Sequence, residues 1–597
     1  MGQRDREKGY CPTDWVLLRM VTCYPLNSNM DATVGREYDE GKLALDESAF
    51  EMSLDDISVD PETRWFKSRV KEFSSLIEMG TWTYHCKSEA LPGESLMGCK
   101  WVDKVKSSGV DKSRLVGQGF LQREGFDYFE SYSPTGAADS FLVFMSLSAY
   151  TGRFLKKYDA QNAYVMADLP AEEQVWMKQP PGFEVFGGQT DGLAEILISL
   201  GVKLPGKDGE ELILKLRKSL YGLVAAGRIF NRFVVAWALK NGFEQLRTDE
   251  CFFRLRMKNN DEITIYIYVD DVLVDSTSQG ASDAYDSIWS STFKSSAGSG
   301  AIAKSFLNMN IQRNAAERTV TITQTKMIED IAAMFNATTG KDYETPMATD
   351  FDPTFDENEP LLDTKMYPYR RIIGALTYVV THTRPDPAVA VNTLAKHTVK
   401  PQTKHWKAAT RVLRYLVCTK ELGLTYSGTM PEYMQNKIYG FHDATWASDK
   451  DTRESRAGWL TKLNGAAVKW GSKVIPTVCL SSAEAETSAA VMLVKDILSL
   501  RLLLWELGYE QPGSTHIYGD NEATLRSATG NGQSKQSKYY QMRTSFLRHY
   551  VRLGKINFNH IPGSKLIADM LTKAQETVKF KEQRLAVLGT PPLHFDD

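Results

Sequence analysis

Asp270 and Asp271 are adjacent in Tyr268-Val269-Asp270-Asp271, between two apolar runs. Neighbouring carboxylates repel each other, and apolar flanks make them harder to solvate. A divalent cation relieves both problems. Hard oxygen donors suit Mg²⁺ or Mn²⁺, which keep waters and take phosphates as further ligands. A third carboxylate must come from elsewhere, and Asp159 is a candidate: Phe154-Leu155-Lys156-Lys157-Tyr158-Asp159 reads as a strand ending in an acid. Two ions so held can activate a hydroxyl and stabilise a leaving phosphate in an in-line displacement. An Asp-Asp pair taken alone is weak support, because most are surface turns.

A second set of acids follows in order: Asp443, Glu486, Asp520 and Asp569. Asp443 lies in Phe441-His442-Asp443-Ala444, Glu486 in Ala483-Glu484-Ala485-Glu486, Asp520 in Tyr518-Gly519-Asp520-Asn521, and Asp569 in Ala568-Asp569-Met570-Leu571. Glu484 is an alternative to Glu486. Each acid read singly is more often an ordinary surface residue.

Elements must position these acids. Ile263, Ile265, Ile267 and Val269 alternate with Thr264, Tyr266, Tyr268 and Asp270, and Val272-Leu273-Val274 resumes the apolar run. That pattern predicts two strands joined through the paired acids. Trp65, Val70, Phe73, Leu76 and Ile77 predict a helix stopped by Gly80. Residues 100–106 and 113–120 predict a hairpin about a turn at 109–111, and the Gly/Ser-rich residues 295–300 a loop. An acidic linker is expected at 350–363, and a new α/β pattern from about 437 to 571.

The bulk properties narrow the class. A chain of 597 residues is too long for one ordinary core. The net charge of −3 excludes a global polycation. Nucleic-acid affinity must therefore be local, and residues 365–420 carry eleven Lys and Arg against the single acid Asp386, with Tyr367, Tyr369, Tyr378, Trp406 and Tyr415 interleaved. Such a stripe suits a phosphate backbone; a solvated helix face is the equal alternative. Seven scattered cysteines without zinc spacing fit a reducing, intracellular compartment. The charged N-terminus is no signal peptide, and the most apolar stretch, 489–505, is broken by Lys495, Asp496 and Arg501, so no membrane partner is expected.

The blocks together resemble the polymerase of copia-type retrotransposons, from about residue 65 to 573. The resemblance is carried by Lys100-Trp101-Val102, Ser113-Arg114-Leu115-Val116, Gly125-Phe126-Asp127-Tyr128, Met177-Lys178-Gln179-Pro180-Pro181-Gly182-Phe183 and Lys218-Ser219-Leu220-Tyr221-Gly222-Leu223, as well as the acidic motifs. Thr383-Arg384-Pro385-Asp386 and Arg411-Val412-Leu413-Arg414-Tyr415-Leu416 continue it. The resemblance implies an α+β fold: a right-hand polymerase of fingers, palm and thumb, then a connection and a ribonuclease H-like mixed α/β domain. The expected division is a loosely ordered lead-in at 1–60, fingers and palm at 61–345, a basic helical thumb and connection at 346–432, a nuclease at 433–575 and a tail at 576–597.

It further implies RNA-directed DNA synthesis, with Asp159, Asp270 and Asp271 holding two Mg²⁺ or Mn²⁺ ions. Tyr164 would pack against the deoxyribose and reject a 2′-hydroxyl, and Lys104 and Arg114 would meet the incoming dNTP. Asp443, Glu486, Asp520 and Asp569 would hold two more ions that cut the RNA of an RNA–DNA hybrid. The implied partners are an RNA template, a DNA primer, the hybrid, dNTPs and the rest of a Pol polyprotein or particle. The implied location is the cytoplasm, in a virus-like particle, or the nucleus.

Several residues depart from the family pattern. Ala225 replaces a glutamine expected near the nucleotide, and Asn308 a glycine in the primer-holding region, where asparagine is expected to crowd the approach. Thr445, Thr487 and Tyr539 replace further nuclease residues. No Cys/His knuckle, integrase head or protease motif is found, so the chain reads as the C-terminal part of a polyprotein. The rival reading is an inactive remnant that binds nucleic acid through the 365–420 stripe.

Overall fold

The computed structural model describes residues 64–90, 96–105, 109–294, 299–530 and 541–589. The expected lead-in at 1–60 and the departure at Tyr539 lie outside them. The chain forms two compact bodies. Of the described residues, those within 64–136, 156–245 and 250–302 belong to the first, and those within 137–155, 246–249 and 303–589 to the second. Residues expected to form a separate thumb and connection thus share a body with the nuclease region. The helix Ala138–Thr151, within the stretch read as fingers and palm, lies in that body too.

In the first body the helix Phe66–Glu78 forms where the apolar spacing requires it, burying Phe66, Val70, Phe73 and Leu76. Phe73 stacks on Phe183 at 4.5 Å, in a core shared with a four-stranded sheet. The strands Cys99–Val105 and Asp111–Gly117 make the expected hairpin. A six-stranded sheet runs in the order Ala301–Ile302, Phe154–Asp159, Asp271–Ser276, Glu262–Tyr268, Phe252–Arg256, Glu244–Gln245. The helices Ala226–Lys240 and Gln279–Ser290 supply Phe230, Trp237, Tyr285 and Trp289 to its core. The stacked Trp289 and Phe293 rings, 4.1 Å apart, continue this aromatic layer.

The alternation at 263–270 needs one correction. Both faces of Glu262–Tyr268 are largely buried, and Val269 leaves the strand at φ +59°. A β-branched residue in the left-handed region is strained. Here it is the turn that presents the two acids, not a continuation of the apolar face.

The second body contains a five-stranded sheet. Its order is Ala466–Val474, Arg456–Leu463, Ile438–Thr445, Thr515–Gly519, Ile556–His560. The first three strands are antiparallel, and the last two join in parallel. The 25-residue helix Ser482–Glu506 packs on the central strand, burying Leu493, Ile497 and Leu500. It contains the apolar stretch 489–505; among the described residues no helix is long and apolar enough to cross a membrane.

The basic stripe at 365–420 folds differently from its reading as a phosphate track. Arg384 is fully buried and forks onto Asp386 at 2.9 and 2.8 Å, with Tyr415 donating to the same carboxylate at 2.5 Å. Arg414 donates to the carbonyls of Ala337 and Gly340 at 2.9 Å each, and Arg411 to Thr345. Lys396 pairs with Asp449, Lys420 with Glu329, and Lys404 donates to the Thr354 carbonyl. Lys365, Arg370, Arg371, Lys400 and Lys407 are the exposed members outside this set. Six of the eleven are thus committed to the protein itself.

The C-terminal residues read as a tail contain the helix Thr577–Leu588, which buries Phe580, Gln583, Ala586, Val587 and Leu588. It is tied to the nuclease sheet by Lys462, whose buried Nζ donates to the Ala586 carbonyl at 2.5 Å. Burial pushes the Lys462 ammonium down from 10.5 to about 7. Between those values the unfolded chain binds more protons than the folded one, so stability rises with pH across that window and levels off below it. Lys462→Met should remove this rise. Denaturation midpoints of the variant that still climb from pH 7 to 10 as in the parent would show another group is responsible.

Candidate functional site

The first acidic site is built on the middle of the six-stranded sheet. Phe154–Asp159 and Asp271–Ser276 are neighbours, which brings the strand ending in Asp159 beside the strand that begins at Asp271. Tyr268 pairs with Asp271 across the hairpin, leaving Val269 and Asp270 as its two-residue tip. Asp159, Asp270 and Asp271 are all at least nine-tenths buried. Their oxygens do not converge within 4.8 Å as a set of three. Instead Lys157 Nζ lies 3.0 Å from Asp271 Oδ1, and the Asp159 N–H donates to Ser299 Oγ at 3.3 Å.

Tyr164 lies on the short helical turn Ala163–Met166 that follows Asp159. Its ring meets Tyr221 edge-on at 4.8 Å and Phe230 at 5.8 Å. Arg114 covers the opposite partner, with its guanidinium 4.4 Å from the Tyr221 centroid. Burial raises the Tyr221 phenol above its ordinary range, opposed by the Arg114 charge and assisted by Asp270. Arg114, Tyr221, Tyr164 and the acid hairpin therefore form one neighbourhood. Tyr221 was legible as part of the Leu220-Tyr221-Gly222 block, but nothing in the sequence marked it as the link. Lys104 sits on the strand Cys99–Val105 directly across from Lys112.

The departures also find physical places. Ala225 precedes the helix Ala226–Lys240 and is buried with Ala167 and Ile229. Its small side chain fills a core position rather than facing a ligand space. Asn308 is exposed and lies at φ +60°, in a two-residue turn between Ser305–Phe306 and Met309–Asn314. Asparagine tolerates that conformation in tight hairpins, so it does not crowd the backbone; Leu307, at φ +48°, is the strained member.

The second site is tighter. Asp443 comes from the central strand, Glu486 from the long helix and Asp520 from just beyond Thr515–Gly519, and their carboxylate oxygens lie within 4.8 Å of one another. Burial, and then the Glu486 charge, pushes the Asp443 carboxyl up to about 7. Burial, and then the Asp520 charge, pushes Glu486 up to about 8. Glu486 Oε1 accepts the Ala444 N–H at 3.1 Å, and Oε2 lies 3.3 Å from Nδ1 of His442. His442 is buried and pushed down to about 4, so at neutral pH its ring brings no compensating charge. Thr572 donates to Asp443 Oδ2 at 2.5 Å. A crowded, buried, all-oxygen donor set fits a hard divalent cation such as Mg²⁺ or Mn²⁺.

Asp569 stands apart from the other three acids. It lies on the turn Ile567–Leu571, which packs against the sheet at Asp443 and its partner Gly458. A Cβ on Gly458 would fall 2.7 Å from Thr572 Cγ2, so glycine admits this turn. Lys573 and Lys579 each approach one Asp569 oxygen at 2.5 Å. Burial opposes ionisation of Asp569, but these lysines hold its carboxyl below the ordinary range.

The choice between Glu484 and Glu486 follows from geometry. Glu484 accepts the Leu480 N–H at 2.9 Å, faces Arg543 at 3.5 Å, and sits in the first turn of its helix, where an acid suits the dipole. It braces the helix entrance, whereas Glu486 enters the acid group. His442, Thr572 and Lys579 were not singled out from the sequence. Their neutral, hydroxyl and tail settings carry no motif, although His442 is next to Asp443.

The first body thus carries paired acids at a hairpin tip of its six-stranded sheet, and the second gathers Asp443, Glu486 and Asp520 beside a mixed five-stranded sheet. Residues 88–200 and 199–349 match the family described as reverse transcriptase (RNA-dependent DNA polymerase). Along most of its length the chain is similar to the Pol polyproteins of copia-type transposons. It is 30% identical over 542 residues to the retrovirus-related Pol polyprotein from transposon TNT 1-94 of Nicotiana tabacum, covering 89% of this chain and 38% of that protein. It is 28% identical over 540 residues to the corresponding polyprotein from transposon RE2 of Arabidopsis thaliana, covering 89% and 34%. The Ty1-DR5 Gag-Pol polyprotein of Saccharomyces cerevisiae is 22% identical over 540 residues, covering 88% and 29%. The chain thus spans well under half the length of these relatives. The solved foamy viral protease-reverse transcriptase in complex with RNA/DNA hybrid aligns with 88% of this chain and 64% of that one, at 10% identity and a TM-score of 0.39.

The geometry separates the two neighbouring glutamates by experiment. Glu486→Gln should raise the melting temperature in metal-free buffer, because a buried like charge is removed. In a chain that also carries Asp270→Asn, it should abolish stabilisation by Mn²⁺. Glu484→Gln should lower the melting temperature and keep the Mn²⁺ response. The reverse pattern would reassign the metal-site glutamate.

Proposed function

We propose that the chain is an RNA-directed DNA polymerase with a tethered ribonuclease H. The observation that carries the reading is the buried Asp270-Asp271 pair, at a hairpin turn where Val269 is strained, beside the strand that ends in Asp159. Its occurrence in a chain related to Pol polyproteins favours polymerisation over other metal chemistry.

In this reading Asp159, Asp270 and Asp271 are the residues that would hold Mg²⁺ or Mn²⁺. Bound there, the ions would supply nucleophile activation and charge neutralisation for in-line transfer. The protein's own part is orientation. Tyr164, wedged against Tyr221 and Phe230, presents a rigid ring edge to the sugar. Arg114, held over Tyr221, places a fixed positive charge in the same neighbourhood and suits the triphosphate; Lys104 is assigned to the same ligand. Lys157 neutralises Asp271 and must yield its place when a cation binds.

In the nuclease, Asp443, Glu486 and Asp520 form the preassembled part of a site completed by Asp569. Thr572 orients Asp443, and the Ala444 N–H orients Glu486. The substrate is the RNA strand of an RNA–DNA hybrid, whose 2′-hydroxyls distinguish it from DNA. The compartment is intracellular, either a cytoplasmic particle or the nucleus; the free thiols at Cys86, Cys99, Cys251, Cys418 and Cys479 suit reducing conditions. The rival, an inactive remnant binding through the basic stripe, loses support because six of the stripe's cations are engaged within the fold.

Primer extension on an RNA template with Mg²⁺ or Mn²⁺ tests the reading. Extension should disappear in Asp270→Asn and persist in Asp443→Asn, while hybrid cleavage should show the opposite pattern. Folded protein that binds hybrid but extends no primer would sink the polymerase assignment. Tyr164→Ala should admit ribonucleotides; unchanged sugar discrimination would remove Tyr164 from that role.

A further inference from the structure

Asp569 differs from the other nuclease acids in having its charge already met by the chain. Lys573 Nζ lies 2.5 Å from Oδ1, and Lys579 Nζ 2.5 Å from Oδ2. We propose that Lys579, assisted by Lys573, competes with the second divalent cation for Asp569, so that the C-terminal helix sets the metal concentration at which the nuclease becomes loaded. This rests on the nuclease reading above, and adds a regulating element that the acid motifs do not contain.

Three observations support the inference. First, Lys579 sits on a helix fixed by contacts independent of the acid. Gln583 donates to the Leu566 carbonyl at 2.9 Å, Arg584 to the Tyr415 hydroxyl at 3.2 Å, and Phe580 packs edge-on to Tyr415 at 5.8 Å. The lysine is therefore delivered to the site rather than drawn there by a loose tail. Second, its ammonium also lies 3.5 Å from the Gly563 carbonyl. Gly563 approaches Asp520 so closely that a Cβ there would fall 2.9 Å from Asp520 Oδ2. Lys579 thus spans from Asp569 to the loop that abuts Asp520. Third, Lys573 interacts electrostatically with Asp443 and Asp520 as well as Asp569. The two ammonium groups together occupy the negative field a second cation would use.

Exchange is physically simple. A divalent ion needs a carboxylate oxygen at about 2.0–2.1 Å and brings twice the charge of an ammonium. Both lysine side chains are partly exposed and can swing toward water on flexible stems without moving the backbone. An ordinary structural ion pair would contribute little to stability and would leave metal affinity unchanged. Metal affinity is therefore the discriminating quantity.

The test uses the full chain carrying Asp270→Asn to weaken the polymerase site, with free Mn²⁺ followed by electron paramagnetic resonance. Lys579→Met keeps the length of the stem and removes the charge. It should tighten the weaker nuclease Mn²⁺ site by about three- to tenfold and leave the tighter site unchanged, as expected for loss of one competing partly exposed charge. Lys579→Arg should bind Mn²⁺ as the parent does. Lys573→Met provides a second variant with the same expected direction, should Lys579→Met fold poorly. Melting curves should show each Met variant less stable than the parent without metal and more strongly stabilised by added Mn²⁺. Equal Mn²⁺ affinity in folded Lys579→Met and parent, with Mn²⁺ still displaced by Asp443→Asn, would overturn the lysine competition alone. A chain in which Asp443→Asn displaces no Mn²⁺ would overturn the nuclease metal site, and the inference with it.

Discussion

The burial of like-charged carboxylates is the constraint on which both sites depend. Carboxylates removed from water and crowded together favour a proton or a cation, and Asp443 and Glu486 show the first response when no cation is considered. The chain supplies the second response at the edges of both sites. Lys157 meets Asp271, and Lys573 with Lys579 meets Asp569. The remaining acids, held by backbone N–H groups and hydroxyls, keep the field that would attract a divalent ion.

Holding such groups in place requires rigid elements with little tolerance in spacing. The hairpin tip is fixed because its two strands are buried on both faces and continue into an aromatic core of Trp237, Tyr285 and Trp289. The backbone strain at Val269 persists because that surrounding packing over-determines it. In the nuclease, the close approach at Gly458 admits the turn that carries Asp569, and the long helix locks Glu486 against the central strand. The C-terminal helix then closes the same face through Lys462 and Gln583.

Charge counts along the sequence proved a poor guide to surface charge. Arg384, Arg411 and Arg414 lie in a run that suggests a phosphate track, yet they bind Asp386, Thr345 and backbone carbonyls inside the fold. Arginine's planar fork makes this internal use economical, because one side chain satisfies several acceptors. The aromatic residues interleaved with them pack in the same way: Tyr415 donates to Asp386 and lies against Phe580.

The strands about Asp270, the helix from Phe66, the order of the seven acids and the family were legible in the sequence, because alternation, helical spacing and motif order are local properties. Local spacing also showed that Asp159 ends a strand. It could not show that this strand lies beside the one beginning at Asp271, since sheet neighbours are chosen by long-range pairing. The family resemblance favoured Glu486 over Glu484, but local spacing did not separate them, because their contacts depend on which face of the helix meets Asp443 and which meets Arg543. The placement of Ala225 in a core, of Asn308 in a permissive turn, and of Lys579 on Asp569 was likewise decided by tertiary packing. The sequence by itself determined which groups can do metal chemistry; only the folded structure decided which of them meet, because burial and ion pairing join residues that are far apart in the chain.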